Sequence, residues 1–192
     1  NSNMIKAVIF DCFVVLFANA QKMFFERHEE LFHNGYKILD ELNLKMDLGK
    51  MNQLEFFQAL ENETGLPSDQ IRKEIQGALV ADEQLVSIIR KLRTKYKIGL
   101  LSNAGEEEIE VLYRDKLDIL FDDIVVSYKL GIVKPDPKIF IKSVENLNVE
   151  LHDSLFVDDN KQNVDTAVRL GMQAYLYTNF ASFAEYIDKF EI

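Results

Sequence analysis

The sequence predicts an α/β fold built on an open parallel sheet, with an α-helical module inserted after the first strand, and three observations predict it. Four short apolar runs rich in β-branched or aromatic residues, AVIF (7–10), IGLL (98–101), LFVD (155–158) and AYLY (174–177), do not alternate apolar with polar residues, and DIVVS (123–127) is a shorter fifth. Continuous runs of this kind suit strands covered on both faces by helices. Helical periodicity fills the spaces between them, at 82–96, 137–148 and 163–171, the last closing on a glycine stop. Finally, the stretch from Phe10 to Lys97 is far longer than the dozen or so residues a parallel crossover needs.

Taken in order, the first strand ends at Phe10 and is followed at once by a carboxylate, Asp11. The long stretch that follows reads as helical in three pieces: AQKMFFERHEELFHNGYKILDEL (20–42), MNQLEFFQALENETGLP (51–67) and SDQIRKEIQGALV (68–80). Asn52 and Glu55 stand at capping-box spacing, and the third piece begins after Pro67. The expected organisation is therefore an α/β core of residues 4–16 and 83–192 carrying a helical cap of residues 17–82. Phe24, Phe25, Phe32, Phe56 and Phe57 are the expected core of that cap, with one or two lining a substrate pocket.

A chain of 192 residues, 47% hydrophobic, has enough apolar material for a proper core. Its 22 basic and 32 acidic residues give a formal charge of -10, the wrong sign for a protein that tracks nucleic acid or binds anionic lipid. One cysteine makes no internal disulfide, no apolar run approaches the roughly 20 residues of a membrane span, and the start lacks a signal-peptide pattern. The expectation is a cytoplasmic protein with neither nucleic acid nor membrane as partner. The opening NSN before Met4 reads as a remnant of recombinant expression. Oligomeric state is left open by the sequence.

In a parallel α/β sheet all strands end on one edge, and ligands bind beyond it. The residues after the strands should therefore face one another: Asp11, then Ser102 and Asn103, then Lys134, then Asp158 and Asp159. Carboxylates suit a hard cation, whereas a lysine with two small donors suits an anion. Ser102 and Asn103 also read as an N-cap for EEEIEVLY (106–113). Cys12, between apolar neighbours, reads as an inert core residue rather than a reactive thiol. His28 and His33 are five apart and so not on one helical face, and His152 has no evident partner, so no histidine metal site is expected.

Four pieces in this order, FDCFVVLF, GLLSNAG, GIVKPDPKIF and FVDDNKQNVDTAVRLGM, resemble the haloacid dehalogenase (HAD) superfamily, in the form with a helical cap inserted after the first motif. The resemblance spans nearly the whole chain and implies a Rossmann-like core. It further implies that Asp11 is a nucleophile forming a covalent ester that water hydrolyses, that Ser102 and the Asn103 backbone hold the transferring group, and that Lys134 neutralises it and orients Asp11. Mg²⁺ would be held by Asp11, Asp159 and the main-chain oxygen of Phe13, with Asp158 as a further ligand or outer partner. The implied activity is hydrolysis of a small phosphorylated metabolite.

Two residues depart from the family pattern. Phosphatases of the family carry a second aspartate two residues after the nucleophile, which protonates the leaving oxygen; here that position is Phe13, and Val14 replaces the usual glycine. Loss of a general acid costs about 10²- to 10⁴-fold in rate, so the expected phosphatase is slow or favours leaving groups that need little protonation. The alternatives are a metal-independent 2-haloacid dehalogenase, since halide leaves unprotonated, and a decayed catalyst whose scaffold now binds a metabolite or protein.

Overall fold

The structure is a computed structural model and describes residues 4–190; the opening NSN lies outside the described residues. Five strands, β1 (Ala7–Phe10), β2 (Lys97–Ser102), β3 (Asp123–Val126), β4 (Ser154–Asp158) and β5 (Gln173–Leu176), form one sheet in the order β3-β2-β1-β4-β5. Every neighbouring pair is parallel. The predicted runs all become strands, with DIVVS losing Ser127 to the four-residue helix α7 (Ser127–Leu130) and AYLY shifted back by one residue.

Alternation along the strands distributes the core over two faces. Val8, Phe10, Ile98, Leu100, Leu155 and Val157 pack on one side, whereas Ala7, Ile9, Leu101, Val125 and Phe156 pack on the other. The first face is covered by α5 (Glu83–Leu92), α6 (Glu106–Arg114) and α10 (Phe180–Asp188), through Leu85, Ile89, Ile109, Leu112 and Phe183. The second is covered by α8 (Pro137–Leu147) and α9 (Lys161–Arg169), through Ile139, Phe140, Val144 and Ala167. This explains the uninterrupted apolar runs: both faces of each central strand are inside, and full burial of one such side chain contributes roughly 1.5–3 kcal/mol. Gly99 lets α8 approach, because a Cβ there would meet Leu147 Cδ1 at 2.9 Å. The helix predicted over 82–96 stops at Leu92.

Register sets the functional edge. Phe10 pairs with Leu100 on one side and Val157 on the other, and Asp11 N–H donates to the Val157 carbonyl at 2.9 Å. One step beyond the strand, Asp11 is therefore level with Asp158 and one residue short of Ser102.

Between β1 and β2 lie α1 (Ala20–Arg27), a 3₁₀ turn (Glu29–Leu31), α2 (Lys37–Asp47), α3 (Gln53–Thr64) and α4 (Ser68–Ala78). They pack around their own apolar cluster, including Phe24, Phe32, Leu39, Phe56, Phe57, Leu60 and Ile71, with Phe25 partly buried against it. The single helical run expected over 20–42 is broken: the chain turns after His28 and passes Gly35 at φ +60° before α2 begins. The left-handed backbone at Gly35 cannot continue a right-handed helix. The Asn52–Glu55 capping box forms as predicted, at 2.8 and 3.0 Å, and α3 ends on left-handed Gly65. The chain leaves and re-enters the sheet side by side, Ala18 N–H donating to Val80 O at 3.2 Å and Asp82 N–H to Leu16 O at 2.9 Å. Among the described residues no helix is long and apolar enough to cross a membrane.

Candidate active site

The end of β1 delivers Asp11, the loop before α8 delivers Lys134, and the end of β4 delivers Asp158 and Asp159. Lys134 Nζ donates to Asp11 Oδ1 at 2.7 Å and to Asp158 Oδ2 at 2.8 Å. All three side chains are buried. Asp158 is held from two more directions: Asn160 N–H donates to Oδ1 at 2.8 Å and Asn163 Nδ2 donates to Oδ2 at 3.0 Å. Asp159 is the most open to solvent of the acids, and Asp11, Asp158 and Asp159 each offer an oxygen within 4.8 Å of the others.

Burial dominates the electrostatics. It pushes the Asp11 carboxyl up to about 8, with Asp158 and Asp159 adding to the rise and Lys134 opposing it. Burial works against the Lys134 charge, yet Asp11 and Asp158 more than offset it and hold the ammonium above the usual lysine range. Asp159 is also raised, by burial and by the nearby Asp158. Burial and the Asp11 charge raise the Cys12 thiol well above its ordinary value, which leaves it the inert core residue expected.

The residues after β2 behave differently from the capping expectation. The N-cap of α6 is Gly105, not Ser102 or Asn103, and Glu108 reaches back to the Gly105 N–H at 2.7 Å. Two residues separate Asn103 from the first turn, so its side chain is free for another partner. Asn103 Oδ1 accepts from Lys134 N–H at 2.8 Å, and Asn103 Nδ2 donates to the Lys134 carbonyl at 3.1 Å. Ser102 Oγ is fully buried and has no hydrogen-bond partner among the described residues. A buried hydroxyl without a partner costs about 1–3 kcal/mol, a cost an anion's oxygen would relieve.

Above this edge lies a cavity of about 560 Å³, bounded by the α1–α4 segment and by α6. Phe13, Val14 and Asn103 line its sheet end; Asp47, Met46, Phe56, Phe57, Asn43 and Gln21 line it from the helices, and Glu108 and Arg114 from α6. The lining stops at the neighbours of Asp11 and Ser102 and does not include Asp11 or Lys134 themselves. Val14 adopts φ +74°, a left-handed conformation unusual for a β-branched residue. Nothing in the sequence marks Asp47 or Asn160 as part of the site, and the cap expected of Asn103 gives way to its contact with Lys134. Only Asn163 carried a signal, as the asparagine of the DDNKQN run.

Fold and edge together define an α/β protein with a buried acid–lysine centre at the carboxyl ends of its strands. The family model for haloacid dehalogenase-like hydrolases matches residues 5–171, and the chain belongs to that family. The chain is 26% identical to a glyceraldehyde 3-phosphate phosphatase of Methanopyrus kandleri, over 88% of this chain and 82% of that protein. It is 29% identical to a D-ribitol-5-phosphate phosphatase of Bacteroides thetaiotaomicron, over 72% and 79% respectively. Among solved structures, a HAD family enzyme of Bacteroides thetaiotaomicron in complex with magnesium has the same fold, with TM-score 0.78 and 23% identity over 94% of this chain and 98% of that one.

Proposed function

We propose that this chain is a Mg²⁺-dependent phosphatase of a small phosphorylated metabolite, acting through an aspartyl-phosphate on Asp11 beneath helices α1–α4 as a cap. The observation that carries this reading is the chain of ion pairs Asp11–Lys134–Asp158, with Asp159 alongside. The phosphatase activities of the two relatives named above support it.

Three carboxylates against one ammonium leave an excess of two negative charges when all are ionised, and their donors are all hard oxygens. That set fits a divalent cation such as Mg²⁺. Asp11, Asp159 and the Phe13 carbonyl would hold it. Asp158 has one lone-pair direction left after Lys134, Asn160 and Asn163. Bound there, the ion would supply positive charge that, together with Lys134, holds the buried Asp11 ionised as the attacking carboxylate and offsets its repulsion with a phosphate dianion.

The protein's own groups then divide the work. Lys134 occupies Asp11 Oδ1 and leaves Oδ2 to attack phosphorus; its remaining N–H can reach a phosphoryl oxygen. Ser102 Oγ offers a further contact. The substrate's P–O bond breaks as the Asp11–phosphorus bond forms, and water attacking phosphorus then releases phosphate and restores the Asp11 carboxylate. The cavity receives the organic part of the substrate. An acidic chain with one buried thiol suits a cytoplasmic setting.

Phosphate release from a panel of sugar and polyol phosphates, with Mg²⁺ and with chelator, tests this reading. Release that requires Mg²⁺ and vanishes in Asp11→Asn is expected; a phosphatase activity insensitive to that substitution overturns it. Phe13 is the one observation that favours a dehalogenase, and halide release from 2-haloacids in the presence of chelator would show that reading instead.

A further inference from the structure

The phosphatase reading leaves a chemical gap. An alkoxide leaving from phosphorus needs a proton, and Phe13 supplies none; its ring packs instead toward Phe17, with centroids 6.2 Å apart. Among the described residues lining the cavity, the carboxyl groups are Asp47, Glu107, Glu108 and Glu110. Asp47 ends α2, and its backbone is tied to the start of α7 at the sheet edge. Ser127 Oγ donates to the Asp47 carbonyl at 2.6 Å and accepts from Ala104 N–H at 3.0 Å. Gly49, at φ +73°, brings the same turn so close to the Tyr128 carbonyl that a Cβ would lie 3.2 Å from it. Gly105, in the loop after β2, packs the same way against Met46. The end of α2 is thus anchored against the loop that carries Ser102 and Asn103.

The carboxyl of Asp47 makes no hydrogen bond among the described residues, whereas Glu108 is committed to the Gly105 N–H at 2.7 Å. Three charged groups act on Asp47 from the elements packed around it: Glu108 on α6, Lys134 before α8 and Asp11 after β1. Burial, then Glu108, pushes its carboxyl up to about 8, so it carries a proton at neutral pH.

We propose that Asp47 is the general acid and base of this enzyme, donating from the end of α2 the proton that position 13 does not. As Asp11 bonds to phosphorus and the ester P–O bond breaks, the electron pair passes to the leaving oxygen, which takes the Asp47 proton and departs as an alcohol. In the second half the Asp47 carboxylate accepts a proton from the water attacking phosphorus. The Asp11–phosphorus bond then breaks, and both side chains return to their starting states.

This proposal rests on the phosphatase reading, and a leaving-group comparison separates the two. Asp47→Asn is assayed for kcat/KM on an alkyl phosphate, whose leaving oxygen needs a proton, and on para-nitrophenyl phosphate, whose leaving group does not. The expected loss on the alkyl ester is about 10²- to 10⁴-fold, exceeding the loss on the aryl ester by at least about tenfold. Phe13→Asp, placed in the Asp47→Asn background, should recover part of the alkyl activity and shows that the protein still folds. Equal losses on both esters, no loss, or the same split produced by Glu108→Gln instead each overturn the assignment to Asp47 while leaving the phosphatase reading intact. A wild-type enzyme inactive on both esters with Mg²⁺ overturns both.

Discussion

Asn103 and Lys134, 31 residues apart, exchange two hydrogen bonds, side chain to backbone in both directions, at 2.8 and 3.1 Å. The amide of Asn103 thereby fixes the backbone from which the Lys134 side chain reaches Asp11 and Asp158. Asn103→Ala should lower stability by about 1–3 kcal/mol, since it strands a buried N–H and carbonyl. Because Lys134 would then be less well held, phosphatase turnover should fall with it. Urea unfolding and steady-state kinetics on the same preparation check both halves; a variant with unchanged turnover would show that Lys134 needs no such support.

Lys134→Met leaves Asp11 and Asp158 buried without their shared counter-charge. Stranding buried charges in this way typically costs about 3–5 kcal/mol, and activity should disappear as well. Thermal unfolding followed by circular dichroism provides the measurement.

Val14 is the strained residue beside the site, at φ +74° and 38% exposed. Relief of left-handed strain outweighs the extra unfolded-state freedom of glycine, so Val14→Gly should stabilise the protein by about 1 kcal/mol. Little side-chain burial is lost in exchange. A lower urea midpoint for the variant would show that Val14 packs usefully despite its backbone.

Asp47 and Glu108 add to the pH dependence that the raised Asp11 and Asp159 carboxyls already give. Burial, followed by Glu108, raises Asp47 from 3.8 to about 8, and burial raises Glu108 from 4.5 to about 7. The folded state therefore binds more protons than the unfolded state between these values, and stability falls as pH rises through that window. Glu63 and Asp115, whose carboxyls are lowered, act in the opposite sense only near and below the ordinary carboxylate range. In the presence of chelator the protein should unfold at less urea at about pH 8 than at about pH 5.5; Asp11 and Asp159, whose carboxyls are also raised, act in the same sense, so the Asp47→Asn/Glu108→Gln pair should reduce the difference without abolishing it.

Much of this arrangement is legible in the residues because it depends on strand ends. A parallel sheet brings every strand terminus to one edge, so Asp11, Lys134 and Asp158 could be placed together from the apolar runs alone. The loop after β2 is less legible: Ser102 and Asn103 have the chemistry of N-caps, but Gly105 takes that position and frees Asn103 to hold the Lys134 loop. Asp47 gave no signal at all. It lies at the end of an ordinary amphipathic helix, and its nearness to the site arises from the docking of Met46 and Gly49 on Gly105 and Tyr128, contacts between segments far apart in sequence. The break in the run at 20–42 escaped because Gly35 is one residue in an otherwise helical pattern, and its left-handed backbone shows only in three dimensions.

Acid quenching of the enzyme during turnover of a phosphate ester with Mg²⁺, followed by mass analysis of the peptide containing Asp11, tests the central claim most directly. The account predicts that this peptide gains one phosphoryl group, that the modified form disappears as substrate is exhausted, and that Asp11→Asn shows neither modification nor turnover. An Asp11→Asn enzyme that hydrolyses the ester at the wild-type rate would contradict it.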